Sequence, residues 1–173
     1  MKYSLILIYL LAFSNLSFSQ NKMDIFDIAR KGTLEQIKEL YNQNPKSIHD
    51  VNKEGYSALI LACYKSNNEV AKFLIENGSD INGSSSMGTP LMAAVVKGNN
   101  VIAKLLIENK ADVNFADANG TTALIYSIQF SNKTILAMLL EQKANKLHKD
   151  KDGKTAFEHA VFAGNEEIIN MLK

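Results

Sequence analysis

The chain has 173 residues, of which 46% are apolar and 21% are charged, a balance typical of a globular domain and not of a disordered segment. Its 19 Lys and Arg residues stand against 18 Asp and Glu residues, a formal net charge of +1. This near-neutral balance gives no basis for nucleic-acid binding, which normally leaves a basic footprint. The single cysteine, Cys63, excludes an internal disulfide, and its apolar surroundings favour a buried hydrophobe over a reactive thiol.

The first segment in chain order has the layout of a secretory signal peptide. Lys2 precedes nine consecutive apolar residues at positions 5–13, and the small residues after them predict cleavage after Ser19. Nine apolar residues are too few for a membrane-spanning helix, which needs about 20. We therefore expect residues 1–19 to be a signal peptide and the mature protein to be periplasmic or secreted, without stable membrane insertion. Loss of Lys2 leaves 18 basic and 18 acidic residues, a net charge of zero. The Lys-, Asn- and Ile-rich composition suggests a bacterial source.

Four later segments repeat one another, each starting with Ser or Thr and continuing with apolar residues. They are residues 57–62, 89–94, 122–127 and 155–160. Their anchoring apolar residues, Leu59, Leu91, Leu124 and Phe157, lie 32, 33 and 33 residues apart. A fixed period in this range is typical of stacked units that cannot bury their apolar faces alone. Such a stack presents an extended surface, which favours binding over catalysis.

Each unit is predicted to contain a turn, a short helix, a tight turn, a longer helix and a loop. The Ser or Thr hydroxyl can accept from a free N–H of the first helical turn, and Gly98 and Gly164 suit the ends of short helices. Apolar residues at helical spacing predict the buried side of the longer helices. These are Val70, Phe73, Leu74, Val101, Leu105, Leu106, Ile135, Met138, Leu139, Ile168, Met171 and Leu172.

The repeated residues resemble the ankyrin repeat family. The matches to its pattern are the turns at 117–120 and 150–153, Thr-Pro-Leu at 89–91, Ala93 and Ala94, and the loops at 78–82 and 111–114. The resemblance covers about residues 23–173 and implies an all-α solenoid of helix-turn-helix units joined by β-turn or hairpin loops. It implies about five repeats including caps, at approximately 23–51, 52–83, 84–116, 117–149 and 150–173.

The chain departs from the family pattern in three ways. Ile60, Met92, Ile125 and Glu158 replace the His that follows Leu in the family. Lys110 and Lys143 stand where Gly usually ends the longer helix, and a left-handed conformation there costs about 1 kcal/mol relative to Gly. Residues 83–88 are one residue short, so we expect this turn to be the most mobile and least regular.

We predict no catalytic, cofactor-binding or metal-binding residues. His49, His148 and His159 are scattered and lack the spacing of a zinc-binding helix. Residues 148–153 faintly resemble a calcium loop, but His148 and His159 occupy its first and twelfth positions, where carboxylates are required. The ordinary turn of the repeat explains this segment better. We expect a non-enzymatic monomer.

In ankyrin proteins the concave surface is formed by the turn tips and the exposed side of the first helices, which implies a partner-binding set here. The set is Tyr56, Tyr64, Lys65, Val96, Lys97, Gln129, Phe130, Lys154 and Phe162. Aromatic side chains are enriched at the energetic centres of interfaces, and lysines on this face with acids on the longer helices predict an acidic protein partner.

Alternatives remain open both for the positions of these side chains and for the function. Phe130 and Phe162 could instead fold inward against the next repeat, and lysines near helix ends also meet the helix dipole favourably. The protein-binding hypothesis has a sharper version, an inhibitor or immunity-type regulator of an exported partner. The alternative function is binding of a small anionic ligand or acidic glycan by the lysines.

Overall fold

The computed structural model describes residues 23–86 and 88–173, so the predicted signal peptide at residues 1–19 lies outside the described residues. Within these ranges ten α-helices form five consecutive pairs. The first helices of the pairs are α1 (Ile25–Lys31), α3 (Ala58–Lys65), α5 (Pro90–Val96), α7 (Ala123–Gln129) and α9 (Ala156–Phe162). The second helices are α2 (Leu34–Gln43), α4 (Asn68–Glu76), α6 (Asn100–Glu108), α8 (Lys133–Glu141) and α10 (Glu166–Leu172), and a 3-10 helix (Pro45–His49) follows α2.

The helix pairs stack in chain order. Each first helix packs against the first helix of the next pair, and α2, α4, α6 and α8 form a second row. Among the described residues, β structure is limited to three isolated bridges in the turns. The predicted all-α solenoid is therefore confirmed.

The predicted helix caps are present in all four repeated segments. The hydroxyls of Ser57, Thr89, Thr122 and Thr155 accept hydrogen bonds from backbone N–H groups three residues later, at 3.2, 3.3, 3.4 and 3.4 Å. In the last segment the Glu158 carboxylate also accepts from the backbone N–H of Thr155, at 2.6 Å. This reciprocal capping box gives a physical role to one departure from the family pattern. The other three replacements, Ile60, Met92 and Ile125, are buried in the core.

Two lysines adopt the left-handed conformation that glycine usually supplies at this position. Lys110 has φ 69° and Lys143 has φ 60°, whereas Gly78 occupies the equivalent position in the preceding repeat with φ 86°. Both lysine backbones follow a second helix and donate to the carbonyls of its last turn. The helix ends are therefore satisfied, at the cost of a strained non-glycine residue.

The predicted core is wrong at Val101, which is 66% exposed, while the adjacent Ile102 is 1% exposed. The residues equivalent to Ile102 are Val70, Ile135 and Ile168, at intervals of 32, 33 and 33, and all are buried. Phe157 also differs from its buried equivalents Leu59, Leu91 and Leu124, since it is 41% exposed. The reason is that no further first helix packs against α9 in the described chain.

The turn at residues 83–88 differs from its equivalents in the other repeats, as its shorter sequence predicts. Val51 pairs with Ser57, and Ala116 pairs with Thr122, so that each bridge closes over six residues. In the shortened turn, Ser85 pairs with Gly88 over three residues. This turn is the irregular one among the three bridged turns, and its greater mobility stays a prediction.

Glycine should have opposite effects at two lysines of the same helical unit. Lys110→Gly should raise the free energy of unfolding by about 1 kcal/mol, because it removes left-handed strain. Lys104→Gly, within α6, should lower it by about 0.5–1 kcal/mol, because glycine loses more backbone entropy in a helix. Urea denaturation followed by circular dichroism measures both, and equal signs for the two variants would contradict the assigned strain.

Candidate functional site

The nine predicted partner-binding residues lie on three series of equivalent positions, which we together call the aromatic–lysine stripe. Its members are Tyr56, Tyr64, Lys65, Val96, Lys97, Gln129, Phe130, Lys154 and Phe162. Four of them, at positions 64, 96, 129 and 162, occur at or within two residues of the ends of α3, α5, α7 and α9. None of the nine is buried. Phe130 is 52% exposed and Phe162 is 86% exposed, so the alternative in which these rings fold inward does not hold.

Tyr64 carries two lysine ammonium groups close to its ring. Lys65 Nζ lies 5.8 Å and Lys97 Nζ lies 5.1 Å from the ring centroid. Both distances fall within the range of cation–π attraction, which contributes about 0.5–1 kcal/mol at exposed sites. Because Lys97 belongs to the next repeat, this cluster joins two repeats through a partly exposed aromatic ring.

A second aromatic ring of the stripe, that of Phe162 in the last repeat, also lies beside a lysine. Lys154, in the last turn, places Nζ 5.4 Å from the ring centroid of Phe162. In the intervening repeat, the ring of Phe130 lies 6.4 Å from that of Tyr126, with a tilt of 31° between the planes. The stripe thus presents aromatic rings in three repeats, two of them beside a lysine.

Tyr126 was missed by the sequence reasoning, although it supports Phe130. Its hydroxyl donates to Asp117 Oδ2 at 2.6 Å. Burial, the hydrogen bond to Asp117 and the negative charge of that carboxylate together raise the pKa of Tyr126 to about 12. A signal was available, because an Asp in the turn is followed nine residues later by a polar ring both here and at Asp150 and His159.

Asp150 holds the turn that carries Lys154. Its Oδ1 accepts from the backbone N–H groups of Asp152 at 3.0 Å and Lys154 at 2.9 Å. Its Oδ2 lies 2.6 Å from His159 Nε2, which donates because an ionised carboxylate can only accept. Burial raises the pKa of Asp150, but the Lys154 N–H group, the His159 hydrogen bond and the His159 charge outweigh it, so the pKa is lowered.

The same turn leaves the calcium interpretation without support. Both carboxylate oxygens of Asp150 are engaged within the repeat, and His148 Nε2 lies 2.9 Å from the Gly120 carbonyl oxygen. No group of three or more His, Cys, Asp and Glu side chains is arranged to hold a metal within residues 23–86 and 88–173. Cys63 is fully buried, and burial raises the pKa of its thiol well above the ordinary value.

Tyr56, Val96 and Gln129 are the remaining residues of the stripe. The hydroxyl of Tyr56 lies 3.1 Å from Ser86 Oγ and links the tips of two successive turns. The backbone N–H of Tyr56 also donates to Asn52 Oδ1 at 2.8 Å. Val96 is half-buried and Gln129 is exposed, so both offer surface between the aromatic groups.

The distribution of charge matches the sequence prediction only in part. In the described parts of the chain, Lys65, Lys97 and Lys154 form no salt bridge. The second helices contain lysines as well as acids, and these pair there. The pairs are Lys72–Glu76 at 3.8 Å, Lys104–Glu108 at 3.8 Å and Lys133–Glu167 at 2.5 Å. The stripe therefore has unpaired positive charge, but the acids are not separated from the lysines as fully as predicted.

Comparison with known families settles the family. The family described as Ankyrin repeats (3 copies) matches residues 25–117 and 102–173. The chain belongs to the ankyrin repeat family. Ankyrin repeats generally mediate protein–protein interaction and are typically non-catalytic. No curated protein sequence matches the chain significantly. Over the described residues, no helix is both long enough and apolar enough to cross a membrane.

Acid should weaken the ankyrin repeat stack through Asp150. A carboxyl whose folded-state pKa is lowered stabilises the fold above its unfolded-state value, near 3.8, and this contribution is lost as the pH falls through the lower folded-state pKa. Asp150→Asn should therefore lower the melting temperature at pH 7, and its difference from the parent chain should shrink below pH 3.8.

The matched control is Asp152→Asn, which removes an exposed carboxyl from the same turn. Thermal denaturation at a series of pH values should give parallel curves for Asp152→Asn and the parent chain. A constant difference between Asp150→Asn and the parent chain across the whole series would contradict the assigned role.

Proposed function

We propose that this ankyrin repeat protein binds an acidic surface of a partner protein through the aromatic–lysine stripe, as a monomer. The observation that supports the proposal most directly is the cluster of Lys65 and Lys97 around Tyr64. Both lysines are exposed, and they form no salt bridge within the described chain. They are free to meet carboxylates that approach from solvent.

The two kinds of side chain make different contributions to binding. An exposed ion pair contributes about 0.2–1 kcal/mol, so three lysines alone give little affinity. Aromatic side chains that lose their water on contact supply the larger share, since a few such residues dominate most interfaces. The lysines mainly accelerate association and select a partner of opposite charge. Tyr64 and Phe162 are therefore the proposed anchors.

We propose further that the mature protein acts outside the cytoplasm of a bacterium, on an exported partner. The support for this step is the sequence of residues 1–19, with its positive charge, apolar run and small residues before Gln20. An inhibitor or immunity-type regulator of that partner fits a binding protein without catalytic groups of its own. The endogenous chain recovered from the exported fraction should then begin at Gln20, and a chain that begins at Met1 would contradict export with cleavage.

The second candidate is binding of a small anionic ligand or an acidic glycan. The two ammonium groups near Tyr64 support it, because they bring two positive charges to one aromatic ring. Such binding would depend almost entirely on charge and would be largely lost at high salt. Retention of a sulfated glycan, with no protein recovered in the capture experiment, would favour this candidate.

Removal of two aromatic rings should abolish partner capture without unfolding the chain. Tyr64→Ala with Phe162→Ala removes both proposed anchors. Phe162 is 86% exposed, so its loss should cost little stability. Tyr64 is half-buried against the core, so its loss should cost part of the stability without unfolding the chain. The measurement is affinity capture from the exported fraction of the source organism, followed by mass spectrometry and a thermal melt of each bait. Val101→Ala, on the opposite row of helices, is the matched control because it also truncates an exposed apolar side chain.

In this experiment a partner is expected with the parent chain and with Val101→Ala, but not with the double variant. Capture that survives the double variant would place the interface elsewhere. A double variant that no longer folds would instead assign Tyr64 to the core, and capture by Phe162→Ala alone would then test the interface.

Neutralisation of two lysines should weaken binding and reduce its salt dependence. Lys65→Ala with Lys97→Ala should raise the Kd for the captured partner roughly two- to thirty-fold, as expected for two exposed ion pairs. The association rate should fall and become less sensitive to ionic strength, which surface plasmon resonance at two salt concentrations measures. Lys72→Ala with Lys104→Ala removes the same charge from the second helices and should leave the Kd unchanged.

A further inference from the structure

A small cavity lies beside the turn that precedes α3. Its volume is about 240 Å³, and its lining includes the apolar side chains of Ile48, Val51 and Ile60. His49, Gly55, Asp80 and Gly83 also line it, whereas no stripe residue does. Sites for drug-sized ligands begin at about 300 Å³, and a water takes about 30 Å³ of liquid volume. The cavity therefore suits one side chain or a ring of similar size.

The cavity occurs where other repeats supply an aromatic ring. Gly83 follows the loop 80–82, and the equivalent residues 32 and 65 positions later are Phe115 and His148. Phe115 packs against the core. His148 Nε2 lies 2.9 Å from the Gly120 carbonyl oxygen and donates to it, because a carbonyl can only accept. Gly83 has no side chain to put in this place.

Among the described residues, the shortened turn does not cover Gly55 in the way that the last turn covers Gly120. Gly120 is covered closely by the following turn, since an added Cβ would lie 3.0 Å from Asp150 Cα, and Lys151 N–H donates to the Asn119 carbonyl. An added Cβ at Gly55, the equivalent of Gly120, would meet no atom of the described residues within 4 Å. The cavity therefore lies where Gly83 provides no ring and where Gly55 is not covered by the next turn.

Backbone conformation does not require glycine at position 83. Gly83 is not among the residues with positive φ, in contrast to Gly55 and Gly88. The three heavy atoms nearest to an added Cβ all belong to the flexible side chain of Asp80, and the closest is Oδ2 at 3.1 Å. A larger residue is therefore compatible with the backbone, and the effect of glycine is to keep the cavity open.

We propose that this cavity binds the imidazole side chain of a histidine presented by a partner protein. The chain itself provides the precedent, because the His148 ring occupies the equivalent place and donates to the carbonyl of the turn. The Asp80 carboxylate beside Gly83 adds charge complementarity for a ring with an N–H donor or a positive charge. A phenyl ring would fill the space but would satisfy neither acceptor. This proposal is independent of the aromatic–lysine stripe.

The test is a titration of the purified chain with N-acetyl-histidine-N-methylamide, followed through backbone amide shifts in NMR. We expect saturable shifts at Gly55, Gly83 and Ser84, with a Kd on the order of 1–10 mM, as is reasonable for so small a ligand. N-acetyl-alanine-N-methylamide should produce none of these shifts. The absence of a saturable response to the histidine probe, or an equal response to the phenylalanine analogue, would overturn the proposal.

Three variants test whether the probe binds in the cavity. Gly83→His should place an imidazole in the cavity, raise the melting temperature and weaken probe binding at least ten-fold, whereas Gly83→Ala should still bind. Asp80→Asn retains the shape of the side chain but removes its charge, so it should weaken binding several-fold. Undiminished binding to both Gly83→His and Asp80→Asn would show that the probe binds elsewhere, which also overturns the assignment.

Discussion

Burial of one apolar side chain between successive first helices is the interaction on which the other features of this protein depend. Leu59, Leu91 and Leu124 occupy this position and are almost completely buried. Because each turn of an α-helix takes 3.6 residues, a residue five positions later points about 140° away from the buried one. Tyr64, Val96 and Gln129 stand at that offset. The contact that holds the repeats together therefore also sets the position of the aromatic–lysine stripe.

The side chains near the turns divide into those that the stack uses and those that it leaves available. Tyr126 and His159 are used, since each donates to an aspartate that organises its turn. Tyr64 and Phe162 make no such bond and lie instead beside lysines. A repeat protein can vary residues at its surface without loss of its core, because each unit contacts only its neighbours. This separation is the physical basis for assigning recognition to the second group.

The irregular positions of the stack are informative for the same reason. Lys110 and Lys143 take strained left-handed conformations where the helix end demands them. Residues 83–88 form a shorter turn than the turns on either side, and Gly83 lacks the ring that Phe115 and His148 contribute. The strained lysines affect only their own helix ends. The shortened turn removes contacts between neighbours, so its consequence is a cavity between repeats.

The sequence by itself determined the repeat period, which is visible in equivalent residues 32 and 33 positions apart. It also determined the helix pairs and the hydroxyl caps, because these depend on residues a few positions apart. It also placed Phe130 and Phe162 among the stripe residues, although it left open whether they fold inward. Only the tertiary structure decided that both are exposed, that Ile102 and not Val101 is buried, and that Phe157 is partly exposed. Burial of these residues depends on what the adjacent repeat covers. The pairing of Lys97 with Tyr64 and the cavity at Gly83 likewise arise between repeats, where local periodicity carries no information.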